Sequence, residues 1–462
     1  MGERKNKKLS DDKKKLSFLD EIKEFLGDIS SKQWFWICFV IFIIAQIVIH
    51  PDIIRMTYFY SEDGTIFFNG ARNGISAFVT PWGGYLVTLS RLIAGMAYLV
   101  MLVTNSIIAA GETIEILSII SVALICAYFT SDSFKYIVSR RYKRIILMVS
   151  LIFLMGGFTS MFYNTVDLHW WCGIFIFFVS LNLMHGKKMS WGIMLFAIIA
   201  VLSSPSTFFI IFPCLYNLKV YGWSNQKFKI VAIIMALCVQ AFFVFFVPSQ
   251  LVDMGVTDTS LVMGDLQSKL RNYDLLISYL LQITFCAPFF IFGSTIYDSL
   301  MNNLYQGTVF LGGLLTVLMI MFNRKNHQVL KNYALALTAV VTIYGMIILK
   351  QDRIPSSYIF YHSTVAGIML IFFGVQFCNS KLFSRIAVWT VPVLLTIYFS
   401  SIIRMDLRTN IFLVEIDEYV DASSNNNVRV NITPDSGMWG GRWYVDVPVE
   451  EKYFENHKCY GE

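Results

Sequence analysis

Charge is what this sequence has least of. Only 15% of its 462 residues are charged, against 56% hydrophobic, too few ions to cover the surface of a water-soluble fold of this size. A disulfide framework and a zinc spacing are also missing. Seven of its eight cysteines (Cys38, Cys126, Cys172, Cys214, Cys238, Cys286 and Cys378) stand in apolar segments, where a thiol behaves as a small hydrophobe. That leaves Cys459 for an exposed position. There is no internal repeat, heptad or low-complexity linker. Nor does the net charge of +6 point to nucleic acid, because Arg4, Lys5, Lys7, Lys8, Lys13, Lys14 and Lys15 crowd into the first fifteen residues. No small-residue cleavage site follows them, so the basic segment reads as an uncleaved cytoplasmic anchor.

What remains is an all-α polytopic membrane protein. About twenty apolar residues make one crossing, and thirteen candidate segments emerge: 34–49, 85–103, 107–129, 145–161, 170–184, 189–203, 206–218, 230–247, 276–293, 306–322, 332–349, 363–378 and 386–402. Basic connectors at 135–144, 185–188, 219–229, 323–331 and 379–385 choose between topologies. All five fall inside if one of 85–103 and 107–129 does not cross and 276–293 lies flat or re-enters. The preferred scheme has eleven crossings. It places a basic cytoplasmic segment at 1–33, the transmembrane domain at 34–402 and an extracytoplasmic tail at 403–462, in the cell membrane. The loops 50–84, 162–169, 203–206, 248–275 and 350–362 then share the outer face with the tail. In that tail NNNVRVNITPDSGMWGGRWYVDVP alternates β-branched residues around a Pro-Asp-Ser-Gly turn signal, which predicts a small hairpin or sheet.

The first outer loop holds YFYSEDGTIFFNG. Glu62 and Asp63 there read in two ways. One is a solvated turn whose acids favour the start of a helix near Thr65. The other is a general base at the membrane surface, where neighbouring aromatics exclude water. An in-plane helix follows, then a Pro81-Trp82-Gly83-Gly84-Tyr85 break. So elaborate a connection is not the shortest way to join two helices.

Tyr60-Ser61-Glu62-Asp63-Gly64, Pro81…Gly84-Tyr85-Leu86 with Arg91, and Asn164-Thr165…Leu168-His169-Trp170 together resemble the layout of bacterial membrane glycosyltransferases of the GT-C superfamily, over roughly residues 30–220. The resemblance implies a GT-C-like fold with juxtamembrane helices in the first outer loop, and a polyprenyl-phosphate-linked sugar as donor. It also implies a cell-envelope glycan or lipid-linked acceptor and inverting transfer. By the same resemblance Asp63 is the base, and Glu62 positions the acceptor or a divalent cation such as Mg or Mn; the reverse assignment stays open. The second Asp-Glu pair and long soluble domain of oligosaccharyltransferases are missing.

Asp167 and His169 are candidate phosphate or sugar ligands, with Trp170 stacking on a pyranose face; an interfacial aromatic belt with polar caps is the plainer account. Arg91, inside an apolar segment, requires an internal partner or must snorkel. Arg353, with Tyr361 and His362 after it, is the second cation that could meet a departing phosphate. Glu112 and Glu115, a turn apart in an apolar segment, suit either a polar helix end or a proton or ion site. Three functions compete on these residues: a glycosyltransferase, a polysaccharide polymerase or ligase, and a transporter or flippase of lipid-linked sugars. Few arginines in the outer loops weigh against the second, and the absence of a repeat weighs against the third.

Overall fold

The computed structural model describes residues 29–49, 63–82, 84–156, 164–165, 167–222, 226–247, 277, 280, 284–292, 294–350, 359–379, 421–423, 427–432 and 443–448. It is mostly helical. In chain order the long helices are α1 (Ser31–Ile49), α2 (Thr88–Thr104), α3 (Ile107–Thr130), α4 (Arg141–Gly156), α5 (Leu168–Met184), α6 (Trp191–Val201), α7 (Ile211–Tyr221), α8 (Lys227–Phe246), α9 (Ser294–Asn323), α10 (His327–Lys350) and α11 (Ile359–Asn379). They match the predicted apolar segments except at 276–293, where a 3-10 segment, Ala287–Phe292, is described, and at 386–402, which lies outside the described residues. Stretches of α1, α3, α8 and α10 (Ser31–Val48, Ala109–Thr130, Lys227–Phe246 and His327–Met346) are long and apolar enough to cross a membrane.

α5 shows why these helices stay together: every residue from Leu168 to Leu183 is buried. A helix apolar all round has no solvent face and must be surrounded by others. Small residues let the neighbours approach. A Cβ at Gly173 would stand 2.8 Å from Thr364 Cγ2 of α11, and one at Gly374 would stand 2.3 Å from Leu147 Cδ1 of α4, the close contact that association in lipid depends on.

Side-chain hydrogen bonds sort the connectors into two ends. At one, Trp34 Nε1 donates to the Thr130 carbonyl at 3.2 Å, and Asn379 Nδ2 donates to the Ile137 carbonyl at 2.8 Å. His185 and Asn332 meet at 2.9 Å, while Lys187 lies over Tyr136 and Lys331 over Tyr216. Connectors 135–144, 185–188, 219–229 and 323–331 gather here with the end of α11, as the preferred topology expects. Asp132 locks this end. It accepts from Arg141 Nη2 at 2.7 Å, from Arg144 Nη2 at 3.0 Å and from the Ser31 hydroxyl. The Arg141 hydrogen bonds hold its carboxyl well below the usual carboxylate range, with further help from Ser31.

The opposite end collects the starts of α2 and α5, the α6–α7 turn and, by chain direction, the start of α11. α2 sets out from there, and Asn105, left-handed at φ 53°, turns the chain back into α3. Backbone alone is described for the tail sheet: β1 (Asp421–Ser423), β2 (Asn427–Ile432) and β3 (Trp443–Pro448), antiparallel in the order β1-β2-β3. Its register puts Val428, Val430, Val445 and Val447 on one face and Asn427, Arg429, Asn431, Tyr444 and Asp446 on the other, the alternation predicted for the tail.

Candidate functional site

Asp63 opens a short π-helical segment, Asp63–Phe68, where the sequence predicts a helix starting near Thr65. Such π turns gather at functional positions. Asp63 is only 1% exposed. Thr165, 102 positions away, donates its backbone N–H to Oδ1 at 3.0 Å, with Oδ2 at 3.3 Å, and its hydroxyl to Oδ1. Two donors from one residue fix the plane of the carboxylate. Thr165 is held in turn by Ser90, whose hydroxyl donates to the Thr165 carbonyl at 2.7 Å.

Around this core three connectors interlock. The Leu89 N–H donates to Ser203 Oγ at 2.8 Å, and the Thr88 hydroxyl donates to the Leu202 carbonyl at 3.0 Å. Gln240 pairs with both polar groups of the Leu86 backbone, accepting at 3.0 Å and donating at 3.1 Å. The Pro-Trp-Gly-Gly-Tyr break is a tight turn in which Trp82 and Tyr85 exchange backbone hydrogen bonds, with Gly84 at φ 74°. The Ser203-Ser204-Pro205-Ser206 turn leads into a 3-10 segment, Pro205–Ile210. The Leu86 and Leu89 backbone N–H groups would be tied up inside a regular helix, and the break before α2 leaves them for these partners.

Arg91 is 2% exposed. Its Nη1 donates to the Ile66 carbonyl at 2.8 Å, and its guanidinium lies 5.2 Å from the Phe67 ring centre. The internal partner expected of an intramembrane arginine is thus the acidic segment's own backbone. Gly70 makes room for it, since a Cβ there would stand 2.4 Å from Arg91 Nη1. Asp167 accepts from Asn164 Nδ2 at 2.9 Å, and its N–H returns a bond to Asn164 Oδ1 at 2.8 Å, closing the turn before α5. His169 is buried, with Trp170 3.9 Å and Tyr85 6.1 Å away between ring centres. Rings continue from Tyr85 to Trp82 and Phe67, linking α5 to the acidic segment.

Of the predicted site residues, Asp63, Arg91, Asp167, His169 and Trp170 converge on this end. Tyr361 and His362 lie in the first turn of α11, near Thr364, whose hydroxyl donates to the Trp170 carbonyl at 3.3 Å. Glu62 and Arg353 lie outside the described residues. Sequence reasoning missed Thr165, Ser90 and Gln240 as site residues; polar side chains bordering or inside apolar runs were the available signal. It also misplaced Cys238, which is exposed on α8: in a helix meeting lipid, a thiol can face outward as well as inward. Among the described residues no group of three or more His, Cys, Asp or Glu could hold a metal ion, so these residues do not build a cation site around Asp63. β3 of the tail packs against the Asp63–Phe68 segment. No protein-family model matches the chain, and comparison with curated proteins and with solved structures finds no match.

Proposed function

We propose that the chain is a membrane glycosyltransferase of the GT-C type, with about eleven crossings. It moves a sugar from a polyprenyl-phosphate donor to a cell-envelope glycan or lipid-linked acceptor at the outer face. The observation that carries this reading is the Asp63 carboxylate, buried and oriented by Thr165 at the end opposite the basic connectors. Basic connectors mark the cytoplasmic side, which puts Asp63 outside. Packing of β3 on the acidic segment is consistent with an outer tail.

Helix lengths support a recessed site. At 1.5 Å per residue α6 rises about 16 Å and α5 about 25 Å, against about 36 Å for α3 and a hydrocarbon core of about 30 Å. The loops around Asp63 thus lie at the depth of the outer leaflet, where a lipid-linked sugar can enter between helices. Asp63 takes the proton from an acceptor hydroxyl, whose oxygen attacks C1 of the donor sugar. The bond from C1 to the phosphate oxygen breaks, the configuration inverts and polyprenyl phosphate leaves. His169 and Arg353 are the candidates to meet its charge, because Arg91 Nη1 is committed to the Ile66 carbonyl. Trp170 and Tyr85 offer flat apolar surfaces to the sugar and keep water out.

The test is transfer of radiolabelled sugar from polyprenyl phosphate by purified Asp63→Asn protein in lipid. Loss of transfer with donor binding retained is expected, and full transfer would remove Asp63 from the mechanism. A second reading, a transporter or flippase of lipid-linked sugars, draws on the buried Glu115 of α3. It predicts sugar movement across vesicles without a new glycosidic bond.

A further inference from the structure

Helix α3 carries two carboxylates one turn apart, and the fold treats them differently. Glu112 is exposed, whereas Glu115 is 6% exposed and well inside the helix, not at its polar end. Glu115 Oε1 is buried and accepts no hydrogen bond. One turn further along α3, the Ile119 carbonyl accepts from Gln46 Nε2 of α1 at 3.1 Å. Gln46 is 0% exposed, and the same nitrogen donates to the Phe42 carbonyl at 3.1 Å. Because both partners are carbonyls, that end of the amide must be the nitrogen. Gln46 Oε1 is therefore a true acceptor, and it too is buried without a donor. Glu115 and Ile119, whose carbonyl Gln46 bonds, stand one helical turn apart on α3, roughly 6 Å along its axis.

Among the described residues, nothing packed on α3 supplies a positive charge to Glu115. α1, α2, α4, α5 and the Asp132–Phe134 turn surround the helix. They bring Lys32, Cys38, Arg91, Tyr98, Asp132, Arg141, Tyr142, Lys143, Arg144, His169 and Cys172. Arg91 is spent on Ile66, and Arg141 and Arg144 on Asp132. No ion pair reaches Glu115 among the described residues, and the acidic neighbour on its own helix is Glu112. An uncompensated carboxylate there carries a desolvation cost that no partner offsets. A proton removes the charge and turns one orphaned acceptor into a donor.

We infer that Glu115 and Gln46 form a proton-binding site in the α1–α3 interface, occupied at neutral pH. The ligand is a proton; two oxygens are too few for a metal cation. Glu115 lies fifteen residues from Thr130 at the basic end, about 22 Å along α3, so the site is in the outer half of the bundle. In the sequence α1 comes just before the loop bearing Glu62 and Asp63. This inference is independent of the sugar chemistry.

The probe is dicyclohexylcarbodiimide, an apolar reagent for protonated carboxyls shielded from water, applied to the full chain in nanodiscs and mapped by peptide mass spectrometry. Label is expected on Glu115, declining as pH is raised, lost in Glu115→Gln and kept in Glu112→Gln. Thermal unfolding is the second measurement. Glu115→Gln, a neutral isostere of the acid, is expected to unfold with the wild type, and Glu115→Lys well below it. Glu115 unlabelled at every pH, label lost in Glu112→Gln, or Glu115→Gln unfolding as early as Glu115→Lys would each overturn the site.

Discussion

The two ends of the bundle handle a carboxylate in opposite ways. Asp132, at the basic end, is partly exposed and gripped by two arginines that also reach the Ile29, Thr130 and Val138 carbonyls. Asp63, at the other end, is buried and accepts from the hydroxyl and N–H of Thr165. Charge answered by charge makes a latch, strong and chemically quiet. A buried acid that accepts from the neutral hydroxyl and N–H of a threonine is placed to exchange a proton with something that enters. Arg91, at the acidic end, bonds the Ile66 carbonyl and lies against the Phe67 ring.

The comparison breaks most visibly at Asp63. Asp63→Asn should lower sugar transfer by about 10²- to 10⁴-fold with thermal stability nearly unchanged, as read from transfer kinetics beside an unfolding curve. Asp132→Ala should do the converse. It leaves the fully buried Arg144 without its carboxylate and should cost about 2 to 3 kcal/mol of stability, with transfer falling only as the folded fraction falls. A matched pair in which both variants lose stability equally would erase the distinction.

Acid sharpens it further. The Asp132 carboxyl has a folded-state pKa below its unfolded value near 3.9, so its contribution is fully present above that unfolded value. It is lost as pH falls through the lower folded value. Between neutral pH and about 4, the stability difference between wild type and Asp132→Asn should stay constant, then shrink on further acidification. Calorimetry in detergent across that range reads the difference.

Smaller effects locate the supports. Thr165→Val keeps the N–H and the shape but deletes the hydroxyl, and should reduce transfer about tenfold, near 1.4 kcal/mol. Thr165→Ser should restore most of it. At the basic end, Trp34→Phe removes the indole bond to the Thr130 carbonyl and should cost about 1 kcal/mol in unfolding, with no change in transfer per folded molecule.

Much of the bundle was legible before any coordinates. Apolar run length marked nearly every helix, and the basic connectors sorted the ends correctly because Lys and Arg flank helix termini whichever way the helices pack. The alternation of Val428 to Val447 announced the tail strands for the same local reason. Within the site, Asp63, His169 and Trp170 stood out as polar or aromatic residues beside breaks. Thr165 did not, since its importance is a contact with Asp63 across 102 positions. Gln46 carries no signal of its own in the sequence, because its bond to the Ile119 carbonyl exists only once α3 lies beside α1. Asp167 was read as a ligand, and its bonds to Asn164 also close the turn before α5, a second role set by backbone geometry.

The sequence by itself determined that the chain is rich in helices apolar and long enough to cross a membrane and where its basic connectors fall, because those properties follow from run length and charge placement along one dimension. Only the tertiary structure decided that Asp63 is buried and paired with Thr165, that Arg91 braces the acidic segment through the space left by Gly70, and that Glu115 is buried without a counter-ion among the described residues. Each depends on which faces of distant helices meet. That choice is made by packing and by the need to satisfy buried polar groups, neither of which is written in any single segment.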